Sequence, residues 1–187
     1  VRLAGMSEPP IPPHPAEPDT KDWTWVTERP CTECGFDPAT VAPEGLPRLI
    51  LDASARFQAA VEQRGAERRP APGTWSAIEY GRHVADVCEV MTARLRLILD
   101  SDGAGAEFAD WDQDAAALDA EYWLSDANAT RILVAERAEA AAKAWAEPDG
   151  DQWAWAGVRS NGSQFTTLSL GRYFLHDLTH HLHDVGA

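Results

Sequence analysis

Three segments of the sequence repeat apolar residues every three or four positions, the spacing that aligns them along one face of an α-helix, and a fourth segment is rich in alanine and begins at good N-cap residues. The clearest stripe runs from Leu46 to Val61, within a helix predicted over residues 44–63. Further helices are predicted from about 76 to 100, from 125 or 126 to 147, and from 166 or 167 to 184. Because strand-like alternation does not persist anywhere, the pattern predicts an all-α fold with four main helices.

The second helix has a well-marked start. Ser76 and Glu79 fit the Ser-x-x-Glu capping box, and Trp75 and Tyr80 are spaced to close a hydrophobic staple over the same turn. His83 follows one turn later, at the edge of the apolar stripe. The sequence therefore predicts that His83 faces the interior of the bundle.

The segments outside these helices differ in character. Residues 1–22 contain six prolines, which predicts an extended or disordered arm, followed by a single domain over residues 23–187. Residues 22–38 have no helical pattern but contain two tryptophans, and we expect them to pack on the core. Residues 101–124 are long for a plain connection and predict a partly helical crossover.

The charge of the chain excludes some partners. The sequence carries 30 acidic and 16 basic residues, with a formal net charge of −14. Such a charge repels nucleic acid and anionic membrane surfaces. We find no apolar run near the roughly 20 residues that a membrane span needs, and no signal-peptide core at the N-terminus. We therefore expect a cytoplasmic protein.

Four of the six histidines lie within eight residues near the C-terminus. His176 and His180 are separated by one helical turn, a spacing that lets two imidazoles bind one metal ion. A third ligand has to come from another part of the chain, where the remaining histidines are His14 and His83. The alternative is that the pair only packs, or complements the dipole at the helix C-terminus.

The aliphatic stripe of the last helix lies almost opposite His176 and His180, at roughly 100° per residue. A helix with a single buried face would leave these histidines in water. We therefore expect one face to meet the bundle interior and the other to meet a second subunit, which predicts a homodimer.

Two stretches resemble a known family. WSAIEYGRHVADV in the second helix and YFLHDLTHHLHDV in the last resemble the DinB-like (YfiT-like) metal-binding four-helix bundles, and DQDAAALDAEYW and GVRSNGSQFTTLSLGRY resemble the actinobacterial branch. The resemblance covers roughly residues 23–185. It implies a four-helix bundle with a long crossover, often dimeric, and a divalent metal ion, commonly zinc or nickel, held by His83, His176 and His180.

The resemblance also implies a class of chemistry. Some members are transferases or isomerases that use mycothiol or bacillithiol, so we expect a metal-dependent transferase that joins a low-molecular-weight thiol to a small electrophile. Three imidazoles leave an open position on the metal ion, where water instead of a thiol would make the protein a hydrolase. A metal-binding stress or interaction protein without turnover is the remaining alternative.

Other residues are candidates around this site, while the catalytic residues stay unassigned. Arg82, Arg159 and Arg172 are candidates to bind a thiol cosubstrate, although arginines are usually surface residues. Asp86 and Asp184 each lie one turn beyond a predicted histidine ligand and are candidates to orient it, unless they are merely solvated.

The remaining cysteines and tryptophans leave alternatives open. Cys31 and Cys34 form half of a zinc knuckle whose other half is not visible, so a structural zinc site, a redox pair and no special role all remain. Cys88 is predicted to be a small buried residue. Trp111, Trp153 and Trp155 either rim a pocket or, as we prefer, cover the core.

Overall fold

A computed structural model describes residue 13 and residues 21–187. The predicted arm over residues 1–22 lies almost wholly outside this part, as does His14, so the division into an arm and a single domain stays a prediction. The described chain forms five α-helices, and the predicted all-α class is confirmed. The helices are α1 (Leu46–Val61), α2 (Ala77–Asp100), α3 (Gln113–Asp119), α4 (Ala127–Trp145) and α5 (Thr167–Asp184).

The predicted start of α2 is confirmed in detail. The Ser76 hydroxyl accepts a hydrogen bond from the Glu79 backbone N–H, and the Glu79 carboxylate accepts one from the Ser76 backbone N–H. The rings of Trp75 and Tyr80 meet edge to face with centroids 5.5 Å apart, which closes the predicted staple. This turn fixes where α2 begins and thereby the direction in which His83 points.

Helices α1, α2, α4 and α5 form the bundle. Both α1 and α2 pack against α4 on one side and against α5 on the other. The long connection between α2 and α4 contains the short helix α3, as the predicted crossover required. The largest hydrophobic core lies between the four helices and includes Leu46, Phe57, Leu95, Trp145 and Phe174.

Close contact between the helices depends on a glycine in α5. A Cβ atom added at Gly171 would lie 2.8 Å from Leu46 Cδ1 of α1 and 2.8 Å from Trp145 Cζ3 of α4. Both of these neighbours are fully buried. The missing side chain therefore lets α5 approach both helices, which holds its histidines at a defined depth in the bundle.

A small sheet was not predicted from the sequence. Its strands are β1 (Ala106–Phe108), β2 (Ala156–Arg159) and β3 (Gln164–Thr166). β1 pairs in parallel with β2, with Phe108 opposite Arg159, and β2 pairs antiparallel with β3. Because each strand is only three or four residues long, the sequence carries no lasting alternation. The sheet anchors the crossover beside the N-terminal end of α5.

The irregular segment before α1 packs on the bundle, as predicted. Val26, Cys31 and Phe36 are buried within the main core, and Trp23 and Trp25 pack against it. The segment contains short 3₁₀ turns at Thr24–Thr27 and Pro38–Thr40 and lies against α5.

Candidate metal centre

His83, Asp177 and His181 meet where α2 faces α5, and we call these residues the His–Asp–His group. His83 Nε2 lies 3.5 Å from Asp177 Oδ1, and His181 Nε2 lies 3.3 Å from the same oxygen. One ligand atom from each residue lies within 4.8 Å of the others. The group thus brings together two imidazole nitrogens and one carboxylate oxygen, a donor set suited to a divalent metal ion.

Aromatic side chains surround the His–Asp–His group. Trp111 stacks on the His83 ring with centroids 5.5 Å apart and planes 10° apart, and Trp75 lies against the same ring at 5.2 Å. The Tyr80 ring lies 5.0 Å from the His181 ring. These contacts bury His83 completely and fix the plane of its imidazole.

The protonation states favour ligation. Burial holds the pKa of His83 below its ordinary value, so this imidazole stays neutral at neutral pH. Burial opposes ionisation of Asp177, but the imidazoles of His83 and His181 beside it outweigh this effect and lower the pKa of Asp177. A neutral imidazole and an ionised carboxylate are the forms that bind metal ions.

Asp184 orients one ligand of the group. His181 Nδ1 lies 2.9 Å from Asp184 Oδ2. Because an ionised carboxylate only accepts hydrogen bonds, Nδ1 is the nitrogen that carries the proton. The lone pair of His181 is then on Nε2, which faces Asp177. Asp184 was predicted as an orienting carboxylate for His180, and it contacts His181 instead.

Asp86 was the other predicted orienting carboxylate. Among the described residues, it forms no hydrogen bond with a histidine of the group. It accepts a hydrogen bond from the Tyr122 hydroxyl and forms an ion pair with Arg137. Asp86 therefore ties α2 to α4 and to the crossover.

A cavity of about 330 Å³ opens beside the His–Asp–His group. Asp177 and His181 line it, as do His176 and His180, and Trp111, which stacks on His83, forms part of its wall. The other lining residues are polar, charged or aromatic: Asp110, Asp112, Asp114, Gln113, Asn161, Trp23, Tyr173, Lys21 and Arg159. The cavity is therefore polar, with more acidic than basic side chains in its lining.

A second set of potential ligands lies where α5 faces the segment before α1. Cys31, Cys34, His176 and His180, which we call the Cys–His group, each offer one ligand atom within 4.8 Å of the others. Cys31 Sγ lies 3.9 Å from His180 Nδ1. All three cysteines are free thiols, so Cys31 and Cys34 form no disulfide in this structure.

The structure divides the three predicted metal-binding histidines between these groups. His83 lies in the His–Asp–His group, whereas His176 and His180 lie in the Cys–His group. The reason is the phase of α5: one residue further along a helix turns the side chain by roughly 100°. The face towards α2 therefore carries Asp177 and His181. His176 and His180, each one residue earlier, face the segment before α1.

Asp177 and His181 were not among the predicted ligands. Their signal in the sequence is a second pair spaced by one turn, shifted by one residue from His176 and His180. Periodicity alone does not distinguish these two pairs, because the choice depends on how α5 is rotated against α2.

The chain itself covers the face of α5 that was expected to meet a second subunit. Trp23 packs on the rings of His176 and His180 with centroids 5.1 and 4.8 Å away, and Phe36 meets the His176 ring at 5.6 Å. This covering removes the reason for which a homodimer was predicted. The homodimer itself stays a prediction.

The three arginine candidates lie in different places. Arg159 lines the cavity, where Asp110, Asn161 and Ser163 hold its guanidinium. Arg82 lies over the Tyr122 ring at 5.6 Å, and Arg172 donates a hydrogen bond to the Val41 carbonyl. Of these candidates, Arg159 is the one that reaches the cavity beside Asp177.

The tryptophans and Cys88 have separate roles. Trp111, Trp153 and Trp155 all pack against the core, as preferred, and Trp111 also lines the cavity. Cys88 is buried in α2 as predicted, and burial raises the pKa of its thiol to about 12.

In the described part of the chain, no helix combines the length and the apolar character that crossing a bilayer requires.

Comparison with known proteins gives a family and a fold. A family model described as DinB superfamily matches residues 48–185. Among solved structures, the chain is similar to YfiT from Bacillus subtilis, described as a probable metal-dependent hydrolase with an unusual four-helix bundle topology. The identity is 16%, the match covers 79% of this chain and 87% of that chain, and the TM-score is 0.68. No curated protein matches the chain significantly.

Proposed function

The chain belongs to the DinB superfamily, and from this membership and the geometry of its metal centre we propose that it is a metal-dependent hydrolase of small molecules. The observation that carries the proposal is the convergence of His83 Nε2 and His181 Nε2 on Asp177 Oδ1 beside a polar cavity. The similarity to YfiT, itself described as a probable metal-dependent hydrolase, supports the same class of reaction.

The donor atoms of the His–Asp–His group fit a divalent metal ion. Both ring nitrogens of His83 and Oδ1 of Asp177 are buried without a hydrogen-bond partner among the described residues. Their separations of 3.5 and 3.3 Å exceed the usual hydrogen-bond length. Ligand atoms bound tetrahedrally to zinc lie roughly 3.3–3.6 Å apart. The spacing therefore suits atoms that share an ion better than atoms that bond to one another.

His83, Asp177 and His181 would hold the ion, and zinc or nickel suits two imidazoles and a carboxylate. With three protein ligands, such a centre supplies a Lewis acid and activates water for hydrolysis. Asp184 keeps the proton of His181 on Nδ1, so that Nε2 faces the centre. Trp111 fixes the His83 ring and keeps that side of the group dry.

The cavity favours a neutral or cationic substrate. Asp110, Asp112 and Asp114 line it on the side of the crossover, and Lys21 and Arg159 are the cationic side chains among its lining residues. Asp110 lies 3.6 Å from the Arg159 guanidinium and offsets part of its charge. A volume of about 330 Å³ suits a small molecule. An anionic substrate would meet repulsion from the carboxylates.

Arg159 favours a second candidate function, the transfer of a low-molecular-weight thiol such as mycothiol to a small electrophile. Its guanidinium lies at the cavity wall with its side chain only 12% exposed, where it can meet a polar cosubstrate. The same metal centre would serve this reaction, because a divalent ion favours the thiolate. A requirement for thiol distinguishes the two reactions.

The test uses the full chain purified without a histidine tag and loaded with zinc or nickel. We expect it to hydrolyse members of a panel of neutral and cationic esters, amides and lactones without thiol, and to lose this activity on chelation. Turnover that requires mycothiol, bacillithiol or glutathione would support the transferase. Absence of turnover under all conditions, with metal bound, would support a non-catalytic metal-binding protein.

His181→Ala should abolish the metal-dependent turnover. His183→Ala is the matched control, because His183 is an exposed histidine of the same helix and belongs to neither ligand group. Equal loss in both variants would contradict the assignment of the centre.

A further inference from the structure

The Cys–His group joins two segments that are far apart in sequence. Cys31 and His180, whose Sγ and Nδ1 atoms lie 3.9 Å apart, are separated by 149 residues. The segment before α1 supplies two thiols three residues apart, and α5 supplies two imidazoles one turn apart. Four nitrogen and sulfur donors in this arrangement make the ligand set of a tetrahedral zinc site.

The loop that carries the cysteines has the form of a zinc knuckle. The Gly35 N–H donates to the Cys31 carbonyl, and the Cys31 N–H donates to the Phe36 carbonyl. Gly35 has a φ of +77°, a conformation that a side chain would strain. This tight turn brings both sulfur atoms to the same side of the loop.

A buried atom without a partner also indicates a missing ligand. His176 is 4% exposed, and its Nε2 has no hydrogen-bond partner among the described residues. Leaving such a group buried and unsatisfied destabilises the fold. Cys31 is 1% exposed, and Trp23 and Phe36 pack on the histidine rings. Cys31 and His176 are thus buried, while Cys34 and His180 are partly exposed and the two histidines also line the cavity.

We propose that Cys31, Cys34, His176 and His180 bind a structural zinc ion, separate from the centre formed by His83, Asp177 and His181. Each thiol loses its proton on binding, so two protons are released and two thiolates balance the charge of Zn²⁺. Thiolate ligands select zinc over hard cations such as magnesium. With four protein ligands the site is closed, which assigns it a structural role, whereas three ligands leave the other centre open.

The zinc ion secures the segment before α1 to the last helix. This segment has no long helix or strand of its own, and it carries Lys21 and Trp23 to the cavity wall. His180 and His181 are neighbours in α5, with ring centroids 6.2 Å apart. The structural site therefore holds both the cavity wall and the helix that supplies the catalytic centre.

Cobalt substitution of the untagged full chain under metal-free reducing conditions tests the proposal. We expect thiolate-to-cobalt charge-transfer absorption in the near ultraviolet and the intense visible bands of a tetrahedral centre. Cys34→Ala should lose the charge-transfer bands of the intact site. Cys88→Ala is the matched control and should keep them, because Cys88 lies in α2 outside both ligand groups. His83→Ala should also keep them, even where it abolishes turnover.

Two further measurements do not depend on the variants folding. X-ray absorption of the zinc-loaded wild type averages over both centres and should show sulfur as well as nitrogen neighbours of zinc. A mercurial reagent that modifies the thiols should release one zinc ion per chain. A cobalt spectrum without sulfur charge transfer, zinc with only nitrogen and oxygen neighbours, or full metal content in Cys34→Ala would each overturn the proposal.

Discussion

The two ligand groups take their α5 residues from adjacent positions of the helix, yet they differ in their donor atoms, in their number of ligands and in the segment that each faces. His176 and His180 face a loop with two thiols, while Asp177 and His181 face α2 and one imidazole. The first set has four donors and packs against Trp23, whereas the second has three, and the α5 residues of both sets line the same cavity. The segment that packs against each face of α5, more than the α5 ligands themselves, therefore distinguishes the proposed structural site from the proposed catalytic site.

The largest effect is expected from removing the ligand on α2. His83→Ala should lower metal-dependent turnover by more than about 100-fold, since losing a ligand costs more than the 10- to 100-fold typical of losing its orienting partner. Steady-state kinetics of metal-loaded protein measure the effect. The near-ultraviolet cobalt bands of the Cys–His group should persist. Turnover close to that of wild type would show that the metal-dependent reaction does not need the His–Asp–His group, and the two groups would then not differ in this respect.

Removing zinc from the Cys–His group should mainly affect stability. A ligand present at a thousandfold above its Kd stabilises the native state by about 4 kcal/mol, which is roughly 8–16 °C in Tm for a chain of this size. Cys34→Ala should therefore lower Tm by about that amount, as followed by circular dichroism. The control is Cys88→Ala. Chelator should lower the Tm of this variant by as much as it lowers the Tm of wild type. If chelator lowers the Tm of Cys34→Ala as much as that of wild type, the stabilising ion lies elsewhere.

A smaller effect is expected from Asp184→Asn. The carboxylate of Asp184 fixes the proton of His181 at Nδ1, and losing such a partner weakens metal binding by about 10- to 100-fold. Competition with a chromophoric chelator measures the affinity of the His–Asp–His group, and the sulfur-linked cobalt bands serve as the internal control. Unchanged affinity would mean that Asp184 does not orient His181.

The smallest effect is expected from the equivalent change beside the Cys–His group. Glu33 Oε2 lies 3.8 Å from His180 Nε2, and the Glu33 side chain is 49% exposed. Exposed pairs of this kind contribute about 0–1 kcal/mol, so Glu33→Gln should change zinc affinity by less than about fivefold. The same chelator competition measures it. A loss as large as that in Asp184→Asn would show that both groups depend equally on a neighbouring carboxylate.

Much of the fold could be predicted from the sequence because its signals are local. The apolar stripes located α1, α2 and α5, the N-cap residues and alanine content located α4, and the Ser76 capping box gave the first turn of α2. The three strands escaped detection since each is at most four residues long and pairs across the chain. β1 pairs with β2 only after α3 and α4 have intervened, which no local pattern records.

The candidate site was less predictable for the same reason. His83 was found because it lies on the inner edge of a well-marked helix. To choose between His180 and His181, one must know the rotation of α5 about its axis to better than the roughly 100° between neighbouring residues. Packing at positions such as Gly171 sets that rotation. The other half of the cysteine knuckle lay 149 residues away on a helix that already had a metal-binding interpretation.

The Gly171 contact also links the two groups thermodynamically. A side chain there would push α5 away from Leu46 and Trp145, and any rotation or shift of this helix moves His180 and His181 together. With ions bound as proposed, loading either group would restrict that motion and change the affinity of the other. The coupling would be reciprocal, because each ion would change the binding of the other by the same factor.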